Sequence, residues 1–126
     1  MLPLTPPEQT RIHAALAKLN LPAPYAESTL DDLIAAWLEF VQKALPDNPT
    51  EPEFIEAAWV RHWINEVKYQ LGNASYDALN DAIIVADEIF SDHTEHSTKP
   101  IVEIPAGERW DVTSHWYFYR RLPTKQ

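Results

Sequence analysis

Proline constrains the fold of this chain more than any other residue type. The 126 residues include eleven prolines and only two glycines. Proline lacks a backbone N–H and clashes with the preceding turn, so it is tolerated in the first turn of a helix but not in its interior. The prolines therefore predict where several helices begin and end.

Capping motifs beside these prolines predict the helix starts. Thr5-Pro6-Pro7-Glu8 and Thr50-Glu51-Pro52-Glu53 both fit the capping box, and Ser28 or Thr29 can cap a further helix. Ser75 is the expected cap of the last helix, and Gly72 is the expected left-handed residue after the helix before it. The four predicted helices cover about residues 6–19, 30–45, 51–71 and 76–91.

Apolar residues recur at helical spacing within these segments. The third helix has so wide an apolar face that we expect it to lie between two neighbours. Trp37, Trp59 and Trp63 lie on such faces and are interpreted as core residues. In the fourth helix the apolar half of the wheel includes Leu79, Val85 and Phe90, so we expect these side chains to be buried.

The pattern changes after residue 100. Apolar and polar residues alternate from Trp110 to Phe118, which is typical of a strand, and residues 101–120 are interpreted as a hairpin that covers the helices. Trp110, Val112, Trp116 and Phe118 would face inward, and His115, Tyr117, Tyr119 and Arg121 outward. The predicted fold is a single α-rich α+β domain over residues 1–126, with four helices followed by a C-terminal β-hairpin; the alternative is an all-α domain.

The charge composition limits the classes of partner. The chain has 10 Lys and Arg, 19 Asp and Glu and no Cys, which gives a net charge of −9. Such acidity argues against direct binding of nucleic acid or of an anionic membrane. The chain has no apolar run long enough to span a bilayer and no basic, apolar leader at its start, so a cytoplasmic location is expected.

The fourth helix carries the candidate binding surface. No Lys or Arg occurs between Lys68 and Lys99, and four carboxylates fall within about 60° of one another on the helical wheel. Ile84 lies among these carboxylates, away from the apolar face. The expected partner-binding residues are Asp77, Asp81, Ile84, Asp87, Glu88 and Asp92.

This surface favours a non-catalytic protein that binds a basic partner. The most concrete form is an immunity protein or antitoxin that neutralises a nuclease-like toxin, or a protein that imitates nucleic acid with its carboxylates. The alternative is a structural or assembly subunit that associates with itself, as a homodimer or a larger assembly, through the C-terminal hairpin.

The sequence supports an enzymatic or metal-binding function less well than it supports binding of a basic partner. There is no Cys nucleophile and no glycine-rich phosphate loop, and Ser114 and His115 would face opposite ways on a strand. His93 and His96 have a spacing that suits a metal in a helix, with His62 or His115 as a third ligand if the fold brings one near, but the surrounding segment is predicted to be a loop. We therefore expect no enzyme activity, cofactor or metal.

Overall fold

The computed structural model describes residues 2–123 and shows an α-rich α+β fold. Its four α-helices are α1 (Pro6–Leu19), α2 (Leu30–Glu39), α3 (Glu51–Val67) and α4 (Asn73–Asp92). Shorter turns extend two of them: a π-helical turn at Phe40–Ala44 and a 3-10 turn at Leu45–Asp47 follow α2, and a 3-10 turn at Lys68–Gln70 follows α3. None of the helices in residues 2–123 is long and apolar enough to cross a membrane.

Local capping chemistry starts three of the helices where the sequence predicts. Thr5, Thr29 and Thr50 each accept a hydrogen bond from the backbone N–H three residues on, and an acidic side chain at that third position bonds back to the threonine N–H. Each side chain satisfies an N–H group that has no partner inside the helix.

The predicted boundary between the third and fourth helices is wrong. Gly72 does not follow α3 in a left-handed conformation; its φ is −72° and it is the N-cap of α4. Ser75 lies inside α4 and is buried, so it does not cap the helix. The physical reason is a carboxylate from another helix: Glu8 accepts bonds from the Gly72 N–H at 2.8 Å and from the Ser75 hydroxyl at 3.1 Å.

Glu8 therefore serves the N-termini of two helices. Its carboxylate accepts a hydrogen bond from the Thr5 N–H, which completes the capping box of α1. It also accepts one from the Gly72 N–H at the start of α4. The pKa of the Glu8 carboxyl falls from 4.5 to about 2, because the backbone N–H groups of Thr5 and then of Gly72 bond to its charged form. This contact fixes the start of α4 against α1.

Helix α3 is the central element, as its wide apolar face indicates. It packs against α1, α2 and the C-terminal segment, and α4 packs against α2. Trp37 and Phe90 meet with ring centroids 4.9 Å apart at the junction of α2 and α4, and both rings are fully buried. These contacts leave one side of α4 facing solvent.

The C-terminal segment contains a small antiparallel sheet, but its strands are not the predicted ones. Strand β1 (Glu95–His96) pairs with β2 (Arg120–Arg121). The alternating stretch Trp110–Phe118 is not a strand; it is a turn that leads into a 3-10 turn at Trp116–Tyr119. No strand lies beside it among residues 2–123, and its aromatic rings pack against α3 instead.

The predicted facing of that segment is also wrong at several positions. Tyr117 and Tyr119, expected to face outward, are 0% and 7% exposed, whereas Val112, expected inward, is 47% exposed. A 3-10 turn places successive side chains about 120° apart, so Tyr117 and Phe118 are both buried. An outward aromatic face that could stack on nucleic-acid bases is therefore not formed.

Candidate functional site

The exposed side of α4 carries a row of unpaired carboxylates. Asp77, Asp81, Glu88 and Asp92 are all exposed, and none lies within ion-pair distance of a cation in residues 2–123. Ile84 lies among them and is 52% exposed. We call this surface, formed by Asp77, Asp81, Ile84, Glu88 and Asp92, the acidic ridge.

The C-terminal half of the acidic ridge borders a groove. The groove is shallow and wide open to solvent, with a volume of about 570 Å³. Its lining combines carboxylates with an aliphatic and an aromatic side chain and consists of Ile84, Asp87, Glu88, Ser91, Asp92 and Trp116. Four of the six predicted binding residues thus meet in one concave surface, and the sequence pattern gave no sign that Trp116 would join them.

Asp87 differs from the other predicted carboxylates because it has a structural role. It forms a bidentate ion pair with Arg61 of α3, with Nε–Oδ1 and Nη2–Oδ2 distances of 3.0 Å. Its Oδ1 also accepts a hydrogen bond from the Trp37 indole N–H at 3.0 Å. Asp87 therefore joins α2, α3 and α4, and its charge is compensated within the protein.

The arginines near the C-terminus leave the acidic ridge uncompensated. Arg120 donates to the carbonyl oxygens of Ser91 and Thr94 at 2.7 Å and to the Thr94 hydroxyl at 2.9 Å. Arg121 pairs with Glu95 across the small sheet at 3.4 Å. Arg120 therefore stabilises the carbonyl end of α4 at Ser91 and the loop that follows it at Thr94.

The predicted burial of Val85 is wrong. The apolar pattern places it on the buried half of α4, but its side chain is 60% exposed. Ile83 and Ala86, on either side of it along the core face, are 2% and 3% exposed. The buried stripe of α4 is therefore narrower than the apolar pattern predicts, and Val85 is a second exposed aliphatic side chain outside the groove lining.

A second cluster joins α3 to the C-terminal segment. His62, Glu66 and His115 offer nitrogen and oxygen atoms that all lie within 4.8 Å of one another. His62 Nε2 is 3.4 Å from Glu66 Oε1, and His62 Nδ1 is 2.8 Å from the Tyr117 hydroxyl. Burial and, to a lesser degree, the nearby His115 lower the pKa of His62 to about 4, so its ring is neutral at pH 7.

This cluster was only partly visible in the sequence. A His and a Glu four residues apart on a helix share one face, which is a signal for a paired site. The third member, His115, is 53 residues from His62 in the chain and stacks on Trp110, which in turn stacks on Phe118 with ring centroids 4.3 Å apart. The His93 and His96 side chains are exposed, and neither belongs to a group of three metal-ligating side chains in residues 2–123.

A larger concave surface lies elsewhere on the molecule. It has a volume of about 830 Å³ and runs between α1 and the start of α2, with a mainly apolar lining that includes Leu4, Ile12 and Leu16. It shares no residue with the acidic ridge or its groove.

Comparison of the chain with family models, with curated proteins and with solved structures finds no match.

Proposed function

We propose that this protein is a non-catalytic inhibitor that binds a basic partner through the acidic ridge and its groove. The partner that fits best is a nuclease-like toxin, which would make the chain an immunity protein or antitoxin acting in the cytoplasm. A nuclease is positive where it holds phosphate, so a negative surface can cover that region or occupy it in place of nucleic acid.

The observation that carries this proposal is the joint presence of unpaired carboxylates and an exposed aliphatic side chain beside a groove. Asp77 and Asp81, like Glu88 and Asp92, are like charges one helical turn apart, which destabilises a helix by a few tenths of a kcal/mol per pair. Asp92 is also the last residue of α4, whose final turn contains no basic residue of its own. A surface that destabilises its own helix fits a role in binding.

Ile84 supplies the apolar anchor of the proposed interface. About half of its surface is exposed, and burying that half contributes about 1 kcal/mol to binding, or roughly a fivefold change in affinity. Trp116 in the groove lining offers the partner an aromatic surface next to this anchor. The surrounding carboxylates would speed the encounter with a basic partner and select against acidic ones.

The experiment begins with capture of the partner. The purified protein is immobilised, incubated with lysate of its source organism and eluted with salt; a basic protein is expected in the eluate, because screening weakens contacts between opposite charges. The affinity of that protein is then measured with two pairs of variants by calorimetry.

The first pair changes charge and the second changes the anchor. Asp81→Lys with Glu88→Lys should weaken binding at least tenfold, whereas Glu27→Lys with Glu103→Lys, which changes net charge equally at exposed sites elsewhere, should have a small effect. Ile84→Glu should abolish binding, whereas Val112→Glu, at a similarly exposed aliphatic side chain outside α4 and the groove lining, should not. Equal effects within both pairs would show that the acidic ridge is not the interface.

The alternative function, self-association through the C-terminal sheet, has a different signature. It requires the pure protein to form dimers or larger species that persist at high salt. The sheet has two residues in each strand and so presents only a short free edge. Sedimentation of the pure protein at low and high salt distinguishes the two proposals.

A further inference from the structure

We propose that His62, Glu66 and His115 form a binding site for a divalent transition-metal ion of the zinc type. The ion would tie α3 to the C-terminal segment. This inference is independent of the proposed function, because none of the three residues belongs to the acidic ridge or lines its groove.

The spacing of the ligand atoms fits one ion. Zinc bonds of about 2.0–2.2 Å in tetrahedral geometry place neighbouring ligand atoms about 3.3–3.6 Å apart. His62 Nε2 and Glu66 Oε1 already lie 3.4 Å apart, and no pair in the cluster exceeds 4.8 Å. An ion would require the remaining pairs to close by side-chain rotation, for which the 39% exposure of the Glu66 side chain leaves room.

The surroundings of the His62 imidazole resemble an outer ligand shell. A metal-binding histidine usually engages its second ring nitrogen in a hydrogen bond that fixes the ring. The buried Tyr117 hydroxyl forms a hydrogen bond with Nδ1 of His62, at 2.8 Å. The other ring nitrogen, Nε2, therefore faces Glu66. Trp110 stacks on the His115 ring with centroids 5.4 Å apart and an interplanar angle of 16°, which restricts that ring as well.

The chemistry of the ligand set selects the class of ion. Two imidazole nitrogens and one carboxylate oxygen suit zinc and its neighbours in the first transition row, whereas calcium and magnesium prefer oxygen ligands throughout. Three protein ligands leave a fourth position for water, and the exposure of Glu66 gives an ion access from solvent.

The test is direct titration of the metal-free protein with Zn²⁺ by calorimetry and with Co²⁺ by visible absorption. We expect one equivalent to bind, the Co²⁺ complex to show the strong absorption of a tetrahedral site, and Zn²⁺ to raise the midpoint of thermal unfolding. His115→Ala and Glu66→Gln should each weaken Zn²⁺ binding at least tenfold. Two variants are used so that a folding defect in one does not decide the outcome.

The matched control is His93→Ala combined with His96→Ala, which removes the exposed histidine pair. This double variant should bind Zn²⁺ as tightly as the original protein. The proposal is overturned if Zn²⁺ fails to bind, if binding is lost in this control and kept in His115→Ala, or if all variants bind equally weakly through the acidic surface. Partner binding at the acidic ridge should be unchanged in His115→Ala, so failure of one proposal does not imply failure of the other.

Discussion

Asp87 and Asp81 provide the sharpest test of how this structure distributes its charges. Both are aspartates of α4 that the sequence assigns to one acidic surface. The structure separates them: Asp87 is tied to Arg61 and Trp37, and Asp81 is exposed without a cation partner in residues 2–123. Changing each to Asn removes one negative charge and nearly preserves shape.

The expected magnitudes follow from burial. The Arg61 side chain is 6% exposed, so Asp87→Asn leaves an uncompensated charge in the interior. Loss of one member of a buried ion pair costs about 3–5 kcal/mol, and the 21% exposure of the Asp87 side chain favours the lower end, about 3 kcal/mol. With an unfolding entropy of about 2.1 cal/mol/K per residue, this lowers the midpoint of thermal unfolding by about 11 °C. Asp81→Asn should change stability by less than about 0.5 kcal/mol.

The assay is urea unfolding followed by tryptophan fluorescence, with calorimetry as a second measure. A double variant, Arg61→Met with Asp87→Asn, removes the stranded charge and keeps an acceptor for the Trp37 indole. It should be more stable than Asp87→Asn alone, because the loss arises from the isolated guanidinium. If Asp87→Asn and Asp81→Asn fall within about 1 kcal/mol of each other, the reasoning about burial is refuted.

Three further predictions concern the contacts that fix the helices. The folded-state pKa of Glu8 is lowered to about 2, so its stabilising effect is complete above pH 4.5; the stability difference between the protein and Glu8→Gln should shrink as pH falls from 4.5 toward 2, measured by urea unfolding. Tyr117→Phe should cost about 1 kcal/mol in the same assay, because it removes the buried hydrogen bond to His62 and keeps the ring. Arg120→Met should speed amide hydrogen exchange in the last turn of α4, because it removes the donor to the Ser91 carbonyl there and the donor to the Thr94 carbonyl just beyond it.

Each of these has a result that would contradict it. A pH-independent difference between the protein and Glu8→Gln would mean that the carboxylate charge does not stabilise the two helix starts. Unchanged stability of Tyr117→Phe would show that the hydroxyl has no net effect. Exchange that increases throughout α4 in Arg120→Met, and not only in its last turn, would show that Arg120 supports the whole helix.

The sequence alone determines the starts of three helices and the α-rich class of the fold. The capping boxes at Thr5 and Thr50 need only residues three positions apart, so they form wherever the chain lies in space. The exposure of Ile84 also follows from sequence, since its angle on the helix places it among charged side chains that must remain in water. The capping boxes depend on contacts within a single turn, and the exposure of Ile84 depends on the spacing of charges along a single helix.

The tertiary structure decides everything that depends on residues far apart in the chain. The alternation from Trp110 to Phe118 predicts a strand, but a strand needs a partner, and the pairing forms between Glu95 and Arg121 instead. Aromatic residues in that stretch are buried by packing on α3, which needs no period of two.

The same limit applies to the two candidate sites. Helical geometry groups the acidic residues, but only the packing of α4 on α3 sets Asp87 beside Arg61 and removes it from the exposed set. Only the return of the C-terminal segment brings His115 to His62 and Trp116 to the groove. The spacing of apolar residues in the sequence predicts which side of a helix is buried. The partner of a charged side chain or an imidazole depends on which distant segment of the chain packs beside it.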